Sequence, residues 1–167
     1  MPPSNPNQYT RGELISLEGR AIALQRSKSY QDAARLWETI IEADPEWEHG
    51  LAHFSLAGCY ERLGEIVKSK EQYLEALRDE LHPLYLGGLA SLLYLHGGAE
   101  EAFETYLQYL QLEAFNHASA ELIREVAPAL WALGERLGLS RVAIDDRIAK
   151  AVEAGRLGVR PPISFVV

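Results

Sequence analysis

Residues 32–45 read Asp-Ala-Ala-Arg-Leu-Trp-Glu-Thr-Ile-Ile-Glu-Ala-Asp-Pro. Ala33 is followed four positions on by Trp37 and three further by Ile40, so a helix would carry all three on one face. The pattern returns twice, as Ser69/Tyr73/Ala76 and Ala102/Tyr106/Tyr109, at intervals of 36 and then 33 residues. Twelve residues ahead of each small residue stands an alanine: Ala21, Ala57 and Ala90. Three copies in one register define an internal repeat of about 34 residues, each copy a pair of helices.

The helices follow from apolar spacing and from stop signals. Leu14, Leu17, Ala21 and Leu24 recur every three or four residues and predict a helix over 11–26. Thr10 is its expected cap, with Glu13 completing a capping box. A second helix over 31–42 stops before Pro45, because proline disfavours helix in the residue preceding it. Helical spacing then spans 46–63, ended by Gly64, and a partner helix spans 68–79. The third pair is expected at 84–95 and 99–113, around the turn Gly97-Gly98. Beyond Asn116 the register fails. Residues 119–137 read as helical with an interruption at Pro128. Ser140 caps a last helix to about Ala154, ended by Gly155.

In this register the chain resembles the tetratricopeptide repeat family over about residues 11–115. Ala21, Ala57 and Ala90 match the small residue of that family's first helices, and Ala33, Ser69 and Ala102 that of its second. Leu24, Tyr60 and Leu93 match its large position, and Pro45 its terminal proline. Arg20 departs from a place where the family has leucine, and the third copy lacks the proline. Half-a-tetratricopeptide arrays share nearly the same pattern. The resemblance implies an all-α fold, a right-handed α-solenoid with a divergent C-terminal helical cap. The implied organisation is a disordered tail at 1–9, three helical pairs at 10–115, capping helices at 116–155 and an apolar tail at 156–167.

The resemblance also implies where a partner would lie. Groove-facing positions of the first helices fall on Ile15, Glu18, Gly19, Ile22, Gln25 and Arg26, then on Leu51, Phe54, Ser55, Gly58, Glu61 and Arg62. In the third copy they fall on Leu84, Gly87, Gly88, Ser91, Tyr94 and Leu95. The family's clamp for chaperone C-terminal carboxylates uses Lys, Asn and Arg, whereas Glu18, Ile22, Ser55, Leu84 and Gly88 stand here. The expected groove is therefore small and apolar, fitted to an amphipathic helix or an apolar peptide. A competing occupant is the chain's own C-terminal helix or its Ile163-Ser-Phe-Val-Val tail, which also raises self-association into a homo-oligomer.

Charge narrows the partners. The formal net charge is −8, which speaks against general nucleic-acid or anionic-membrane binding. Residues 1–128 carry 10 basic and 20 acidic side chains, and residues 129–167 carry 6 and 4, so the repeats suit a basic partner. Cys59 is the only cysteine, read as a small buried filler. The expectation is a cytoplasmic protein with no secretory leader and no membrane span.

Chemistry-bearing motifs are sparse. His49 and His53 have the four-residue spacing of helical metal ligands, but nothing nearby completes a set. No phosphate loop or nucleophile elbow occurs, so the expectation is a non-enzymatic adaptor or assembly scaffold binding another protein, without cofactor or metal. One alternative is a DNA-linked regulator: residues 133–148 resemble a helix-turn-helix, with Arg141 and Val142 opening its second helix, although Asp145 and Asp146 would repel phosphates. Another is an acidic immunity or antitoxin-type inhibitor of a basic partner.

Overall fold

The computed structural model describes residues 9–117 and 120–162, and the described residues are helical, with no strand among them. Eight α-helices follow in order: α1 Arg11–Arg26, α2 Tyr30–Ala43, α3 Leu51–Leu63, α4 Ile66–Asp79, α5 Pro83–His96, α6 Ala99–Phe115, α7 Ala120–Arg136 and α8 Arg141–Arg156. They form two compact units, one through Leu81 and one from His82. The expected disorder of residues 1–8 and the expected role of residues 163–167 fall outside the described residues. Tyr9, assigned by sequence to the tail, packs against the core of the first unit.

In the first unit, α1 starts on the expected capping box. The Thr10 hydroxyl accepts from the Glu13 N–H at 3.3 Å, and the Thr10 N–H donates to the Glu13 carboxylate at 2.7 Å. All six small residues of the repeat register, in both units, are buried: Ala21, Ala33, Ala57, Ser69, Ala90 and Ala102 are each 0% exposed. Their burial explains the twelve-residue spacing, because it sets one small residue on each side of a helical hairpin where larger side chains would hold the backbones apart. The pair Ala57 and Ser69 shows this directly, since the Ser69 hydroxyl donates to the Ala57 carbonyl at 2.9 Å. Trp37, Ile40, Trp47, Leu56 and Cys59 fill the core between α1, α2 and α3.

The expected continuous helix over 46–63 does not form. Trp47–Gly50 makes a short 3-10 turn in which Glu48 (φ 46°), His49 (φ 54°) and Gly50 (φ 91°) are all left-handed, and α3 begins only at Leu51. Left-handed backbone costs non-glycine residues roughly 1–2 kcal/mol each. Opposing that cost, Trp47 is buried and the Glu48 carboxylate accepts from Arg11 at 2.6 Å. His49 is therefore off the helix that carries His53, and their helical ligand spacing is not realised. Instead His53 Nδ1 shares a hydrogen bond with Gln72 Oε1 at 2.7 Å.

In the second unit, α6 is the central helix, packing against α5, α7 and α8. Leu86, Leu89, Leu92, Phe103, Leu110, Leu130, Leu133 and Ile144 are its large buried residues. Two sequence expectations are corrected. Pro128 neither ends nor divides α7, which runs through it from Ala120 to Arg136. Gly155 does not end α8 but lies inside it, buried against α6, where an added β-carbon would come within 2.2 Å of the Gln111 carbonyl oxygen. The terminating glycine is Gly158, at φ 83°. A similar close approach joins α7 to α8, because a β-carbon on Gly134 would lie 2.5 Å from the Ile144 side chain.

Candidate functional site

The positions of the first unit expected from the sequence to face a groove lie on α1 and α3, and several of them already have work inside the chain. Glu18 accepts from the Trp47 indole N–H at 3.3 Å. Gln25 accepts from the Trp37 indole at 3.2 Å and donates to the Ser55 carbonyl at 3.3 Å, tying α1 to both α2 and α3. Glu61 accepts from the Tyr73 hydroxyl at 3.3 Å, and the Phe54 ring lies 5.8 Å from that of Tyr73. Burial and the Glu61 charge push the Tyr73 phenol above its ordinary value. Ile22 and Leu51 are half-buried, whereas Ile15, Arg26 and Arg62 are exposed. Nothing lies within 4 Å of a β-carbon built on Gly19 or Gly58, so both leave open space beside the helix.

In the second unit the corresponding positions lie on α5, whose sequence Pro-Leu-Tyr-Leu-Gly-Gly-Leu-Ala-Ser-Leu-Leu-Tyr-Leu-His contains no Asp, Glu, Lys or Arg. A helix apolar on every side is ordinarily enclosed on every side. Here Leu86, Leu89, Ala90, Leu92 and Leu93 are buried, yet Leu84 remains 52% and Leu95 64% exposed. Leu84, Gly88, Ser91 and Leu95 recur at helical spacing along one stripe, with Ser91 exposed and Gly88 half-buried. Tyr94 borders the stripe, its ring edge-on to Tyr106 at 6.2 Å. Gly87 is less open than its side chain implies, because the Tyr109 ring stands 3.2 Å from where a β-carbon would be.

A second feature of this unit was not singled out in the sequence. Between α6 and α8 runs a groove in which Arg147 donates to both carboxylate oxygens of Glu104, at 2.6 and 2.9 Å, with its guanidinium 4.8 Å from the centre of the Phe103 ring. The segment after α8 lies along α6. Gln111 donates its side-chain N–H to the Val159 carbonyl at 3.0 Å, and Gln108 to the Pro162 carbonyl at 2.8 Å. Arg160 stacks 5.1 Å from the centre of the Phe115 ring, and Pro161 is buried. The only local sequence signal is a pair of glutamines three apart on α6, which places both on one helical face.

The helix-turn-helix-like segment is a packed hairpin of α7 and α8. Gly138 turns the chain at φ 75°, and the Ser140 hydroxyl accepts from the Ala143 N–H at 3.2 Å. Arg141 is engaged inside the chain: its guanidinium lies 3.4 Å from the centre of the Trp131 ring and its Nε 3.4 Å from Asp145. Asp145 also accepts from the Trp131 indole at 2.8 Å. Val142 is exposed. Among the described residues no group of three His, Cys, Asp or Glu is placed to hold a metal ion, and no helix is long and apolar enough to cross a membrane. Compared with known proteins, the sequence matches no family model and no curated protein.

Proposed function

We propose that the chain is a degenerate tetratricopeptide-like repeat protein of the α-solenoid class that acts by binding another protein rather than by catalysis. The observation that carries this reading is the face of α5. A charge-free helix that leaves two leucines more than half exposed beside a glycine and a serine presents apolar surface where a partner backbone can come close. Covering such surface yields roughly 25 cal/mol per Å². The occupant is an apolar or amphipathic segment laid along Leu84, Gly88, Ser91 and Leu95. The burial of all six small residues in the repeat register supports the family reading. Arg141, stacked on Trp131 and paired with Asp145, supports a packing role for α7 and α8 over base reading.

The test compares wild type with a Leu84→Glu/Leu95→Glu variant in affinity capture from the native host, after circular dichroism shows equal helicity. The variant is expected to lose the specifically captured protein. In the wild-type complex, the amides of α5 are expected to exchange hydrogen several-fold more slowly. An unchanged set of captured proteins, or unprotected α5 amides, overturns the assignment. Phe54→Glu is the poorer probe, because Phe54 packs against Tyr73 and its loss would disturb the fold.

A further inference from the structure

The turn ahead of α3 runs against the preference of its own backbone. Glu48 and His49 are left-handed, a conformation that crowds the β-carbon of any residue but glycine. The helix that follows gains no cap from the arrangement, since Gly50 has no side chain to offer its first N–H groups. A right-handed path through the same residues would start α3 one turn earlier and relieve both. It would also set Glu46 and Glu48 at the N-terminus, where the macrodipole favours acidic side chains. What the backbone resists, side chains therefore have to hold.

Those holds converge on α1. The Trp47 indole is buried, and its N–H donates to the Glu18 carboxylate at 3.3 Å. Arg11 donates to Glu48 at 2.6 Å, and its guanidinium stands 5.4 Å from the centre of the Trp47 ring. Arg11 and Glu18 are two helical turns apart, hence on one face of α1. The grip is open to solvent, the Arg11 and Glu48 side chains being 72% and 39% exposed. Water and salt weaken an ion pair in that setting. Burial of the indole favours the turn and backbone strain opposes it, so contacts of this size tip the balance.

We propose that residues 47–50 form a two-state clasp. In one state Trp47 is docked on α1 through a left-handed turn. In the other the indole leaves α1 and α3 begins at Trp47. Arg11 and Glu18 set the proportion of the two, so a charged group that engages either from outside favours the longer helix. The clasp lies within the first unit and stands independently of the binding role proposed for α5.

Fluorine NMR of the full chain labelled with 5-fluorotryptophan tests it, Trp47→Phe assigning one of the three tryptophan signals. Raising sodium chloride from low to moderate concentration is expected to increase the solvent-exposed form of Trp47 several-fold. Arg11→Ala is expected to do the same and to remove most of the salt response. Adding His49→Gly to Arg11→Ala is expected to reduce the exposed form several-fold, because glycine accepts the left-handed turn and disfavours helix. Helicity by circular dichroism is expected to hold or rise as Trp47 becomes exposed. A fall in helicity means local unfolding in place of helix extension, and overturns the proposal. So does a Trp47 signal unmoved by Arg11→Ala, or an exposed form that His49→Gly increases.

Discussion

Gly58 and Gly155 both lie inside helices, yet adding one methyl group to each should have opposite effects. Gly58→Ala adds a methyl to open space in α3 and removes a flexible residue, so stability should rise by about 0.5–1 kcal/mol. Gly155→Ala drives a β-carbon onto the Gln111 carbonyl and the backbone of Phe115, where α6 cannot yield cheaply, so stability should fall by about 1–3 kcal/mol. Urea unfolding midpoints at constant slope give both numbers, and two shifts of the same sign would contradict this account. The sequence could not separate the two roles. A glycine closing a helix and a glycine admitting a neighbouring backbone both follow an apolar helical run, and the neighbour at Gly155 lies about 40 residues away. The glutamines of α6 were hidden for the same reason, their partners being 54 and 48 residues distant.

At the level of the helices, apolar period located all four hairpins, the small-residue register marking only the first three, and apart from the start of α3 their limits agree with the structure to within a few residues. What periodicity does not encode is backbone handedness. The spacing through residues 46–63 continues unbroken across Glu48 and His49, while the chain turns left-handed there to bury Trp47 and to bring Glu48 to Arg11. Proline misled in the other direction. Pro128 sits on an exposed face of α7, where the chain tolerates one missing N–H. Pro128→Ala should restore the bond to the preceding turn and raise stability by roughly 1–3 kcal/mol, part of the gain being offset by the freer unfolded chain. Calorimetry would show the higher Tm, and a lower one would mean that α7 depends on the proline for its packing.

Across the whole chain, buried acids that are neutral when protonated set the response to alkali. Burial pushes the Cys59 thiol from 9.0 up to about 11, and burial with the nearby Glu113 pushes the Tyr109 phenol up to about 12. Tyr60 and Tyr73 move the same way, again chiefly through burial. In each case the folded chain holds the proton more tightly than the unfolded chain. Their contribution is therefore complete below about pH 9 and shrinks as the pH climbs towards 12, because the unfolded chain ionises first. Urea midpoints measured from pH 8 to pH 11 should fall steadily, and a flat or rising profile would contradict it. Both units carry such groups, so both should weaken over the same interval.

The packing of α8 onto α6 has a consequence for the ribosome. Most of the cover for α6 arrives late, since α6 ends at Phe115 and α8 is complete only at Arg156. At the usual elongation speed of about 5–20 residues per second, the apolar flank of α6 would wait on the order of seconds for its last neighbour. A nascent chain stalled in that interval offers chaperones a surface that the finished protein no longer shows.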